Sequence, residues 1–152
     1  MKKILLFDEE LPVDGATEYG PMGLYAMAFN EVGIEVELAQ TIEEVQQLLS
    51  DEGNEFDFVS LDVLVPDAGE VFSREHTENG RLSGVAVFQW IIENIDPLPP
   101  IVFLTNVPIA LLKQRLEARK LERHQHWVKQ KSETPPFEFV DFVKEKYSEI
   151  TR

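Results

Sequence analysis

Four short apolar runs in this chain end on residues that could do chemistry together. Lys3-Ile4-Leu5-Leu6-Phe7 leads into Asp8-Glu9-Glu10, and Phe58-Val59-Ser60-Leu61 leads into Asp62. Ile101-Val102-Phe103-Leu104 leads into Thr105-Asn106, and His126-Trp127-Val128 leads into Lys129. Three adjacent acids after a buried run are costly to hold unless something positive lies near. Several carboxylates with few other ligands and room for water suit a hard divalent cation, and Mg²⁺ is the natural candidate. A carboxylate on such an ion can accept a phosphoryl group. A hydroxyl and an ammonium beside it can hold the phosphoryl oxygens.

Each group also has an ordinary use. Asp62 could cap a loop, Asp8 and Glu9 could be a solvated loop entry, and Thr105 could cap the next helix. Lys129 could be an edge-strand side chain with its head in water. His76, His124 and His126 lack the spacing of a metal site, so no zinc is assigned.

For the four ends to meet, the runs must be parallel strands of one sheet, whose carboxyl ends share an edge. The rest of the sequence supplies that frame. Pro21 opens a helix with an apolar face from Met22 to Val32, and Gly33 is its C-cap. Ile34 to Ala39 alternates as a second strand. Thr41 with Glu44 forms a capping box ahead of Ile42, Val45, Leu48 and Leu49. Ser83-Gly84 opens a helix over Val85 to Ile95, stopped by Pro97, Pro99 and Pro100. A charged helix carries Leu111, Leu112, Leu116 and Leu121. Thr134-Pro135 starts a final helix rich in Phe. The segment 11–20 reads as a loop, and the segment 67–83 as a long polar loop beyond Asp62. Loops of that length tend to be functional. Five strands alternating with five helices call for an α/β fold: a five-stranded parallel sheet with helices on both faces, doubly wound and flavodoxin-like.

Composition narrows the function. The 152 residues suffice for one domain with one core, and no linker divides them, so a single domain over 1–152 is expected. Without cysteine there is no disulfide, thiolate metal site or cysteine nucleophile. No apolar run reaches membrane-spanning length, and Ile4 to Phe7 is too short for a signal-peptide core. A cytoplasmic location is compatible with this. The net charge of −14 argues against nucleic acid or anionic membrane as partner and suits a cation-binding site.

Taken together, Ile4-Leu5-Leu6-Phe7-Asp8-Glu9-Glu10, Leu61-Asp62 with Pro66, Ile101 to Thr105, and Val128-Lys129 resemble the receiver domain of bacterial two-component response regulators. The resemblance covers nearly the whole chain. It implies that Asp62 is the phosphoacceptor, charged by a sensor histidine kinase or a phosphotransfer protein. It implies that Asp8, Glu9 and Asp62 hold Mg²⁺. Thr105 then contacts the phosphoryl group and couples it to loop movement, and Lys129 pairs with it. His126, three residues earlier, matches an aromatic residue whose rotation reports the switch. The family's last helix and its neighbour often form the partner surface. The implied role is a stand-alone signalling domain acting on a separate protein, with a homodimer allowed. It is not an enzyme beyond its own phosphorylation and dephosphorylation.

The sequence departs from the family pattern in places. Glu9 stands where Asp is usual, Asn106 where a small residue is usual, and Gln130 where proline follows the lysine. The Gly expected soon after Pro66 is displaced to Gly84. Lys131 is the alternative lysine, at the family's usual distance before Thr134-Pro135. Choosing it would put Lys129 at a normally apolar strand position, so Lys129 is preferred. Two other functions compete. One is a pseudo-receiver that binds partners without phosphorylation. The other is a small Mg²⁺-dependent phosphatase of the haloacid-dehalogenase type with Asp8 as nucleophile, weakened by Glu10 where that family wants Asp.

Overall fold

The computed structural model describes residues 1–8, 21–65 and 71–152. Five strands, β1 (Lys3–Phe7), β2 (Glu35–Ala39), β3 (Phe58–Leu61), β4 (Ile101–Thr105) and β5 (Trp127–Gln130), form one sheet. Every pairing is parallel and the order is β2-β1-β3-β4-β5. Helices α1 (Pro21–Glu31), α2 (Ile42–Ser50), α4 (Ser83–Asn94), α5 (Ile109–Ala118) and α6 (Pro136–Ile150) supply the crossovers and the final cover. A one-turn helix α3 (Arg74–Thr77) precedes α4, and a 3₁₀ turn (Lys131–Glu133) follows β5.

The central strands are buried on both faces, as their unbroken apolar runs require. Leu5, Phe7, Val59, Leu61 and Phe103 pack on one side with Val45 of α2, Val85, Phe88 and Ile91 of α4, and Leu112 and Leu116 of α5. Ile4, Leu6, Phe58, Val102 and Leu104 pack on the other with Tyr25 and Phe29 of α1 and Phe139, Val140 and Val143 of α6. Phe139 meets Tyr25 and Phe29 edge-on, at 5.7 and 5.9 Å between ring centres.

The local signals act where the sequence puts them. Gly33 has φ +80° past the end of α1, a conformation costly for any other residue. Thr41 Oγ1 accepts from Glu44 N at 3.1 Å, while the Glu44 carboxylate accepts from Gln40 N at 3.2 Å. The box is therefore closed one residue earlier than its simplest form. Proline 135 caps α6 and Pro136 occupies its first turn, one residue later than expected from Thr134-Pro135.

Of the expected loop 67–83, residues 71–83 are more ordered than a polar loop. Residues 66–70 lie outside the described residues, as does the expected loop 11–20. From Ser73 onward, the Ser73 side chain caps α3 by accepting from His76 N. Thr77, Gly80 and Leu82 are buried. The segment leans on α5, where Arg115 Nε lies 3.0 Å from Glu78 Oε2 and Arg119 Nη2 donates to His76 O. Arg115 of α5 and its C-cap Arg119 thus have partners that a helix-by-helix reading does not supply.

Candidate functional site at the carboxyl edge of the sheet

Parallel pairing brings the strand ends to one edge. Asp8 N donates to Ala39 O at 3.0 Å and Asp62 N to Phe7 O at 2.9 Å, so the backbones of both acids are held by the sheet. Both residues are buried, at 1% and 5% exposure. Their charges are met by Lys131, whose Nζ lies 2.6 Å from Asp8 Oδ2 and 3.1 Å from Asp62 Oδ2. The other Asp62 oxygen, Oδ1, accepts from Val63 N at 2.7 Å. Burial by itself lowers the Lys131 pKa, but Asp62 and Asp8 outweigh it and hold the ammonium above the ordinary lysine value. Thr105 is buried at the end of β4, and its Oγ1 accepts from Val107 N at 3.2 Å. Asp62, Leu64, Thr105, Asn106, Val107, Pro108 and Lys131 line a cleft of about 270 Å³.

Gly84 completes the frame. A Cβ built there would lie 2.2 Å from Asp62 O and 2.7 Å from Val63 Cα. Only glycine lets the start of α4 approach the Asp62 backbone this closely. Gly84 N donates to Val63 O at 3.0 Å, and Ser83 Oγ donates to Val65 O. The displaced glycine of the sequence therefore packs against the strand end that carries the acid.

The ammonium in the site is that of Lys131, not Lys129. Strand β5 continues to Gln130, and Lys129 pairs with Leu104 inside the ladder. Its side chain lies on the α6 face, with Nζ 4.5 Å from the ring centre of Phe142. The alternation of β5 explains this. Trp127 on the same face stacks on Phe58, while Val128 packs with the opposite core. A lysine fits such a position because its stem can cover an aromatic ring while its head stays wet. The aromatic-switch correspondence of His126 moves with the lysine. The residue three before Lys131 is Val128, and His126 instead sits edge-on to Phe88 and Phe103 at 5.6 and 5.9 Å. Glu9 lies outside the described residues.

The donor set fits Mg²⁺. Two buried carboxylates converge on one cation, here the Lys131 ammonium, and hard oxygen donors are what Mg²⁺ prefers. Among the described residues no group of three or more possible ligands is gathered, so Asp8 and Asp62 form a pair to which water or Glu9 would have to add.

No family model matches the chain, and no curated protein matches it in sequence. Solved structures do match in fold. A CheY-like response regulator receiver domain protein from Methanospirillum hungatei JF-1 superposes with a TM-score of 0.66 at 17% identity, over 98% of this chain and 95% of that one. The non-phosphorylated HemR receiver domain from Leptospira biflexa gives 0.57 at 23% identity, over 97% and 94%. The response regulator DrrB of Thermotoga maritima gives 0.59 at 20% identity, and the match takes in 51% of its length. The chain has the CheY-like receiver fold.

Proposed function

We propose that this protein is a phosphoryl-accepting receiver. Asp62 takes the phosphoryl group from a phosphohistidine of a sensor kinase or phosphotransfer protein, and the modified domain signals by altered binding to a second protein. The observation that carries this reading is the buried Asp62 at the end of β3, with Lys131 Nζ 3.1 Å away and Asp8 on the same ammonium. In the transfer, an Asp62 oxygen forms the new O–P bond as the donor N–P bond breaks, and the imidazole nitrogen keeps the electron pair. Asp8 and Asp62, with Glu9 by sequence, would hold Mg²⁺. The ion would supply positive charge for the phosphoryl oxygens. Lys131 offers a second positive charge at the same place. Thr105, on the wall of the cleft, offers a hydroxyl. Phosphorylation adds about −1.5 to −2 charge at pH 7, so the cleft must rearrange around it.

A second reading, a pseudo-receiver that binds without phosphorylation, is favoured by one observation. Both Asp62 oxygens already have partners, Val63 N and Lys131 Nζ. Intact mass after incubation with Mg²⁺ and acetyl phosphate separates the two. A labile adduct of one phosphoryl group, absent from Asp62→Asn, is the expected result. Wild-type protein without an adduct would leave the second reading standing.

A further inference from the structure

Strands β4 and β5 pair as far as Thr105 and Gln130. From Gln130 of that pair and from Asn106 just beyond it, two side chains carry the connection onward. Gln130 Nε2 donates to Val107 O at 2.9 Å, and Asn106 Oδ1 accepts from Ser132 N at 2.9 Å. The two bonds cross: each runs from a side chain on one strand extension to the backbone of the other. Their residues bracket Lys131 on the β5 side and directly follow Thr105 on the β4 side.

The far end of the lysine loop is fixed separately. Tyr25 of α1 donates its hydroxyl to Thr134 O at 2.6 Å and packs on Phe139. The lysine loop is therefore anchored to α1 and the α6 core. The loop after Thr105 is fastened to it through Asn106 and Gln130.

The crossed bonds lie at the rim, and Ser132 is exposed. Partly solvated hydrogen bonds of this kind add little to global stability. Their value lies in what they join: the hydroxyl of the cleft and the ammonium of the cleft. Resting on the receiver reading, we infer that Asn106 and Gln130 are positioning residues that make the Thr105 loop and the Lys131 loop one unit. Displacement of either loop by modification of Asp62 is then carried to the other.

The test uses the full chain with Asn106→Leu, which removes the acceptor, Gln130→Glu, which removes the donor, and Asn106→Asp, which keeps an acceptor. Three quantities are read: amide hydrogen exchange at Ser132, the side-chain ammonium resonance of Lys131, and acetyl phosphate labelling across donor concentrations. Loss of one such bond should speed Ser132 exchange and lower the maximal labelling rate by about tenfold each. The Lys131 resonance should broaden, and Asn106→Asp should restore both that resonance and the Ser132 exchange rate seen with Asn106. A Lys131 resonance and labelling rate unchanged in Asn106→Leu and Gln130→Glu, with only Ser132 exchange faster, would overturn the inference. Wild-type protein that takes no phosphoryl group, with exchange and Lys131 responding as stated, would sustain the coupling and sink the receiver reading alone.

Discussion

Replacing Lys131 with methionine should destabilise the protein far more than the same change at Lys129. The side chains of Lys131, Asp8 and Asp62 are at most 9% exposed. At an effective dielectric of about 20, contacts of 2.6 and 3.1 Å are worth about 6 and 5 kcal/mol before desolvation. Desolvation of three ions offsets most of that sum. Removing one partner of a buried pair nonetheless costs about 3–5 kcal/mol, because the charge left behind has no compensation. Here two carboxylates are left facing each other. Lys129→Met removes a cation over Phe142 and should cost about 0.5–1 kcal/mol. Urea unfolding at pH 7 in EDTA measures both. In an Asp62→Asn background the Lys131→Met penalty should shrink by about 1 kcal/mol or more, since one of the two stranded charges is gone. A Lys131→Met penalty no larger than that of Lys129→Met, or independent of Asp62, would refute this account of the site.

Three further outcomes follow from the same geometry. Gly84→Ala should cost about 3 kcal/mol in thermal or urea unfolding, since the atoms its Cβ would meet belong to the Asp62 and Val63 backbone and cannot turn aside. Lys131 and Tyr25 both have raised pKa values, the latter because burial disfavours the phenolate. Their contributions are complete below the ordinary values of 10.5 and 10.0 and are lost as pH rises past them, so stability should fall above pH 10, less steeply in Tyr25→Phe. His76 is lowered by burial and then by Arg119, so its contribution is present above the ordinary 6.5 and lost as pH falls below it. The protection of the α3 amides, taken as observed exchange relative to the intrinsic rate at the same pH, should therefore fall on acidification, and His76→Phe should remove that dependence.

Much of the frame is legible from local rules. Apolar runs that need cover on both faces, Gly33, the Thr41–Glu44 box and the helix-starting prolines each act within a few residues, and they suffice to give five parallel strands. That Asp8 and Asp62 end up on one cation follows from topology, because parallel strands share their carboxyl edge. The lysine was harder to read. Reading Val128-Lys129 as the strand end depends on lysine being unwelcome in a strand that faces a helix. Phe142, which makes it welcome, is thirteen residues further on. The ties of Arg115 and Arg119 to α3 were also hidden, because they join segments that no periodicity connects. The crossed bonds of Asn106 and Gln130 required the register of β4 on β5, which sequence alone leaves open to a shift of one or two residues.

The ties between α3 and α5 reach beyond the surface they cover. Through Glu78 and His76, the stretch that follows the acidic strand end grips the last turn of α5 at Arg115 and its C-cap at Arg119. Opening one of the segments alone would cost the other these contacts, which favours joint opening. We expect the stretch and the end of the helix to open together, which native-state exchange of their amides would show. A ligand or partner that steadies one of them should then slow opening of the other.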